Sequence, residues 1–137
     1  MLAPIALTHT VVLADRNRHI RSLLARELDS QGYEVTCCGL GREAVALARK
    51  QGDILVVDGD LSDMDALSVI RQVREVRPEL PIVVHAHSAE EAAQCLQERF
   101  VLFVPKEQDP ARLVRVVRRA LETRPQAGCS KEFLENR

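Results

Sequence analysis

Ile54-Leu55-Val56-Val57-Asp58-Gly59-Asp60 is a run of four apolar residues cut off at once by two acids flanking a glycine. A continuous apolar run this short is the mark of a strand buried on both faces, because a strand with one wet face alternates apolar with polar. Val11-Val12-Leu13-Ala14, ahead of Asp15, has the same form. So do Ile82-Val83-Val84, introduced by Pro81, and Val101-Leu102-Phe103-Val104, just ahead of Lys106. Glu34 to Cys38 is a fifth candidate. Between the runs, apolar residues recur at helical spacing: Ile20, Leu23, Leu24 and Leu28 before Gly32; Ala44, Leu47 and Ala48; Leu67, Ile70 and Val73 with Arg74, before Pro78. Ser88 is a candidate N-cap for a helix from Ala89, with Glu91 completing a capping box. Asp109-Pro110 reads as N-cap and first residue of a last helix carrying Leu113, Val116, Val117 and Leu121 on its apolar face. Strands alternating with helices mean βαβ units, hence a doubly wound parallel sheet of the α/β class with helices on both faces.

Composition bounds the rest. With 137 residues, 46% of them hydrophobic, the chain is long enough for one domain with a sizeable core. Residues 8–123 are the expected domain, and 124–137 a tail or the beginning of a linker. Nineteen basic residues against twenty acidic ones leave a net charge of −1, which argues against bulk nucleic acid or an anionic membrane as the main partner. Three Phe, one Tyr and no Trp offer little for base stacking. No stretch approaches the roughly 20 apolar residues that span a bilayer, and the short apolar start lacks a basic lead-in, so no signal peptide is expected. Cys37, Cys38, Cys95 and Cys129 show neither a CxxC pair nor zinc spacing, and reduced thiols in a cytoplasmic protein are the expectation.

In an open parallel sheet, chemistry collects at the carboxyl ends of the strands. Asp15, Asp58 and Lys106 each follow an apolar run, and Asp60 shares the loop after Asp58. Carboxylates from neighbouring strand ends can converge as a hard-oxygen site for Mg2+, and an ammonium beside them can hold a phosphoryl oxygen. Any one of these acids is as readily a turn or cap residue; charged residues at three separate strand ends make coincidence harder.

Over about Val11 to Leu121 the sequence resembles the receiver domain of bacterial two-component response regulators. The carrying segments are Val11 to Asp15, Ile54 to Asp58, Met64-Asp65, and Phe103-Val104-Pro105-Lys106 followed by Asp109-Pro110. The resemblance implies a (βα)5 flavodoxin-like fold with strand order 2-1-3-4-5. It implies that Asp58 is the phosphoacceptor, that Asp15 is a carboxylate of the Mg2+ site, and that Lys106 contacts the phosphate. A histidine kinase or another signalling protein would be the partner, and the domain would not itself be an enzyme.

The departures are as informative. Receivers usually carry a second acid directly after the position of Asp15, and here it is Arg16. The fourth strand usually ends in Thr or Ser; here Ala86 or His85 falls there, depending on a one-residue gap, and neither has a hydroxyl. Glu107 stands where Pro usually follows the lysine, and Phe103, at the aromatic switch position, is expected as a non-switching core residue. Asp15 and Asp58 against Arg16 and Lys106 cancel, and Asp60 leaves the site at −1. A resident cation weakens the attraction for Mg2+, and a guanidinium forks readily onto a carboxylate. Arg16 is therefore expected either to pair with Asp58 or Asp60, partly replacing the metal, or to swing into solvent. Either way a weak Mg2+ site of Asp15, Asp58 and Asp60, and impaired phosphorylation, are expected. Two mechanisms follow: inefficient phosphorylation of Asp58, or a pseudo-receiver acting by constitutive protein contact.

Other readings have less behind them. Asp58-Gly59-Asp60 also resembles the DxD signature of haloacid-dehalogenase-type phosphohydrolases, but that signature sits on the first strand of a larger domain. Asp15 to His19 lacks the composition of a flavin phosphate loop, and no Walker or GxGxxG glycine pattern is present. His85 and His87 form an HxH without nearby further ligands and read as strand-end polar residues. Arg112, Arg115, Arg118 and Arg119 read first as a solvated helix face. Their charge is opposite to that of Glu90, Glu91 and Glu98, which makes a homodimer through residues 89–122 a further expectation.

Overall fold

The computed structural model describes residues 8–123; the expected tail, Cys129 and the apolar start lie outside the described residues. Five strands, β1 (Thr10–Ala14), β2 (Glu34–Cys38), β3 (Ile54–Asp58), β4 (Ile82–Ala86) and β5 (Val101–Pro105), alternate with helices α1 (Arg18–Ser30), α2 (Gly41–Lys50), α3 (Ala66–Arg74), α4 (Ala89–Ala92) and α5 (Ala111–Glu122). The strands form one sheet in the order 2-1-3-4-5, every neighbouring pair parallel. This is the α/β doubly wound, flavodoxin-like architecture. The continuous apolar runs are continuous because the sheet is covered twice: β3 and β4 are buried at every residue. Val12, Ala14, Leu55, Val57, Val84 and Ala86 point into the layer of α2 and α3. Val11, Leu13, Ile54, Val56 and Val83 point into the layer of α1 and α5.

Several details differ from the periodicity. Of the α1 stripe only Leu24 and Leu28 are buried, while Ile20 and Leu23 stay exposed, because the first turns of α1 rise past the sheet toward its carboxyl edge. On α5, Val114 and Ala120 are buried and Val116 is only half-buried, so the core stripe is rotated slightly from the expected one. Pro110 is the cap of α5 and Ala111 its first residue, a shift of one; the Asp109 carboxylate still accepts the Ala111 N–H. Ser88 does cap α4, accepting the Glu91 N–H, but α4 is a single turn followed by a 3-10 turn at Cys95–Gln97. Glu98 therefore lies beyond the helix. Ala92, Cys95 and Phe100 are buried along this stretch before β5 begins at Val101. Phe100 makes that entry with φ +61°, in the left-handed region uncommon outside glycine. Phe103 is half-buried at the sheet margin rather than a core residue.

One acid without an expected role holds the fold near the site. The cap position of α2 is Leu40, whose side chain has no oxygen to offer. Asp63, from the loop after β3, accepts the N–H groups of Gly41 and Arg42 at 2.7 and 3.0 Å instead. A carboxylate at a helix N-terminus satisfies orphan donors and meets the positive end of the dipole, and these N–H bonds hold the Asp63 carboxyl below its ordinary value of 3.8. Asp63→Ala is expected to lower the thermal midpoint and to speed hydrogen exchange at Gly41 and Arg42. The difference from the parent should be full above the unfolded-chain pKa and vanish as pH falls through the lower native value. Unchanged exchange at both amides would show that water replaces the carboxylate without loss.

Candidate functional site

Parallel pairing brings the ends of β1, β3, β4 and β5 to one edge of the sheet, and the candidate site is built on that edge. Asp58 is the last residue of β3, buried to 2% exposure, and its strand partner across β4 is His85. Lys106 follows β5, two strands from β3, so its side chain passes the end of β4 to reach Asp58. Its Nζ donates to Asp58 Oδ1 at 2.6 Å. The Asp60 N–H also donates to Oδ1, at 2.9 Å, and the Arg16 N–H to Oδ2, at 3.0 Å. Burial alone would raise the Asp58 carboxyl, but the ammonium and the two N–H groups outweigh it and hold the carboxyl below 3.8.

Asp15, 1% exposed, accepts the Asn17 N–H at 2.8 Å. Its carboxyl is pushed above 3.8, first by burial and then by the neighbouring Asp58 charge, against the pull of the Asn17 N–H and Lys106. The two acids of the edge are thus driven apart: Asp58 is firmly ionised, Asp15 reluctantly so. Asn17 has its own task as the N-cap of α1, accepting from the N–H groups of His19 and Ile20. Its signal in the sequence is an Asn one residue ahead of a helical stretch.

The Arg16 guanidinium lies 3.4 Å from Asp60 Oδ2, with both side chains more than half exposed. Such a pair contributes little to stability, and it leaves the guanidinium free to change partner. Of the expected trio, Asp58 and Asp60 line one cleft, Asp58 tied to Lys106 and Asp60 paired with Arg16, while Asp15 is buried beside Asp58. Among the described residues no group of three His, Cys, Asp or Glu side chains stands close enough to hold a metal ion.

At the end of β4 the side chain facing the site is His85, while Ala86 packs into the opposite core layer. The His85 ring is 5% exposed and its Nδ1 is buried with no partner. Burial, reinforced by the Lys106 charge, pushes its pKa down to about 4, so the imidazole is neutral at physiological pH. Gly59 lets the backbone approach closely here. A Cβ on it would sit 2.8 Å from that of Ala86 and 2.7 Å from the Glu91 carboxylate. Glu91 thus lies against the loop after β3, and only the hydroxyl half of the expected capping box forms. Above these residues opens a cleft of about 470 Å3, with Ile20, Arg16, His87 and Gln108 on its walls.

Comparison with known proteins names this arrangement. The model of the response regulator receiver domain matches residues 11–118. The chain belongs to the receiver domain family. The DNA-binding transcriptional regulator NtrC of Azospirillum brasilense is 31% identical over 117 residues, covering 83% of this chain and 24% of that protein. NtrC of Escherichia coli is 33% identical over 114 residues, 81% of this chain and again 24% of the relative. The chain thus spans about a quarter of these curated relatives. Among solved structures, a response regulator receiver protein from Sinorhizobium medicae superposes with TM-score 0.76 at 26% identity, covering 86% of this chain and 98% of that one. The receiver domain of the sensor histidine kinase PA1611 from Pseudomonas aeruginosa does so with TM-score 0.76 at 26% identity, over 85% and 99%. That receiver holds a magnesium ion coordinated in its active-site cleft. In this receiver the carboxylates of Asp15 and Asp58 are near enough for their charges to interact and would hold such an ion, against the competing charges of the Lys106 ammonium and the Arg16 guanidinium. No helix among the described residues is long and apolar enough to cross a membrane.

Proposed function

We propose that this receiver domain is a phosphorylation-impaired switch of two-component signalling, with Asp58 at the phosphoacceptor position, acting by contact with a histidine kinase or another cytoplasmic signalling protein rather than by turning over a substrate. The observation that carries the reading is the state of Asp58. Its carboxylate already has an ammonium at 2.6 Å, and the nearby guanidinium is paired with Asp60, so two cations offset all but one of the three carboxylate charges and the attraction for Mg2+ is reduced. Lys106 and Asp58 would contact the phosphoryl group, while Asp15, Asp58 and Asp60 would furnish at most a weak Mg2+ site. The second reading, a conventional receiver phosphorylated by a kinase, draws on the same Lys106–Asp58 contact and on a lone pair left on Asp58 Oδ2. In that step an Asp58 oxygen would attack phosphorus, the bond from phosphorus to the donor would break, and the donor atom would leave with the electron pair.

Intact mass after incubation with acetyl phosphate and Mg2+, beside an Asp58→Ala control, separates the two. The expected result is little or no phosphoryl adduct under conditions that label an ordinary receiver. A full adduct that disappears in the control would restore the conventional reading. The exposed arginine face of α5 and the acidic residues at Glu90 and Glu91 support a homodimer through 89–122 as a further part of the reading. Its signature is a sedimentation state that shifts with salt.

A further inference from the structure

The stretch from Ala89 to Glu98 is held in a form that its own residues oppose. Ala89-Glu90-Glu91-Ala92-Ala93-Gln94-Cys95-Leu96-Gln97-Glu98 contains no glycine, proline or β-branched residue, and all but Cys95 are good helix formers. Ser88 caps its start, and Ala92, Cys95 and Leu96 keep helical spacing toward the core. The α-helix nevertheless stops at Ala92, and beyond it Ala93, Gln97 and Glu98 donate to carbonyls only three residues back. A 3-10 turn among residues that favour an α-helix marks a constraint imposed from elsewhere. The constraint is visible at the far end. Arg74, the last residue of α3, donates from Nη1 to the Leu80 carbonyl at 2.7 Å and to that of Arg77 at 3.2 Å, and from Nη2 to the Arg99 carbonyl. One guanidinium thus ties the connection before β4 to the connection before β5. Its Nε is buried without a partner, so the head group is aimed at these carbonyls even though one desolvated donor goes unmet. The next residue, Phe100, is 1% exposed and left-handed at φ +61°, with its carbonyl accepting the Ile82 N–H at 3.0 Å. An aromatic residue keeps that conformation only where its surroundings enforce it.

We propose that Arg74 is a latch on the length of α4: by holding the Arg99 carbonyl it keeps the helix to one turn. An α-helical residue advances about 1.5 Å and a 3-10 residue about 2.0 Å, so a helix continued to Glu98 draws Arg99 back from the guanidinium. The two forms exclude each other. With the latch closed, α4 is one turn and Phe100 is left-handed; with it open, α4 runs to Glu98 and Phe100 relaxes. The inference goes beyond the proposed function. It involves no ion, no phosphoryl group and no residue of the cleft, and it holds whether or not Asp58 is labelled.

The test is 13C NMR on the full chain carrying Arg74→Met, which keeps the length of the stem and removes every donor. Helical Cα shifts, confined to Ala89–Ala92 in the parent, are expected to extend through Glu98, while the Phe100 Cα and Cβ shifts leave the left-handed range. Arg74→Lys should open the latch in part, because one ammonium does not bridge both connections as the planar fork does. Should Arg74→Met not fold, Arg74→Lys carries the same readout. Gln94→Gly added to either variant should shift the balance about threefold back toward the short form, the effect of a glycine in an exposed helix position. An arginine that only supports the fold would leave the stretch short or let it unravel. Parent-like shifts from Ala93 to Phe100, or loss of the helical shifts of Ala89–Ala92 in place of their extension, would each overturn the latch.

Discussion

Lys106→Met is expected to lower the unfolding free energy by about 3 kcal/mol at neutral pH, the cost of leaving one member of a buried ion pair uncompensated. Asp58 is 2% exposed, and without the ammonium only the N–H groups of Arg16 and Asp60 would face its charge. The pH profile should change as well. In the parent the Asp58 carboxyl is depressed, so its contribution is full above the unfolded-chain value and is lost as pH falls through the lower native value. In Lys106→Met burial is no longer outweighed and the native value rises above the unfolded one. The variant then gains stability on acidification where the parent loses it. Adding Asp58→Asn should recover most of the loss, since a neutral amide needs no countercharge. Urea unfolding across the acid range reads all three chains. A loss below about 1 kcal/mol, the worth of an ordinary hydrogen bond, would mean that the two backbone N–H groups suffice to hold the charge.

The second large effect is a loss of stability in mild acid carried by His85. Its native pKa of about 4 lies below the ordinary 6.5 because the ring is buried beside Lys106. The unfolded chain therefore binds a proton that the native chain refuses, and stability must fall as pH drops through this window. The loss begins near the unfolded value and levels off once pH passes below the native one. Its full size is about 3 kcal/mol, from the difference between the two values at 1.36 kcal/mol per unit. Asp58 changes stability only between its unfolded value, near 3.8, and its lower native value, and Asp15, whose carboxyl is raised, acts in the opposite direction. The slope between the two His85 values thus belongs mainly to His85. His85→Leu should flatten it, and a parent-like slope in that variant would assign it to other groups.

The fold was legible because the strands are buried on both faces. Runs such as Ile54 to Val57 and Val11 to Ala14 have no other economical reading, and their alternation with helical spacing prescribes parallel connections. The edges were less legible. Ile20 repeats at core spacing yet faces the cleft, because periodicity reports a stripe but not how far a helix extends past the sheet. The shortening of α4 to one turn left no mark in the run of residues from Ala89 to Phe100 that helical spacing could report. At the site, Asp15, Asp58 and Lys106 announced themselves as charges directly after apolar runs. Asp63 did not, since its partners are 21 or more residues away in sequence. Whether His85 or Ala86 faces Asp58 needed the register of β4 against β3, which a pattern of residue types leaves open by one position.

The loop after β3 is a short span clamped at both ends. Lys106 fixes it at Asp58, and the Asp63 carboxylate rivets its far end to α2. Between the clamps, Gly59 leaves no room for a Cβ beside Glu91 and Ala86. A span fixed at both ends has no travel along its length and can only bow sideways. The side on which Gly59 already touches its neighbours is the one where any bow is felt first. A side chain added at Gly59 would therefore meet α4 first, with Glu91 as the point of contact.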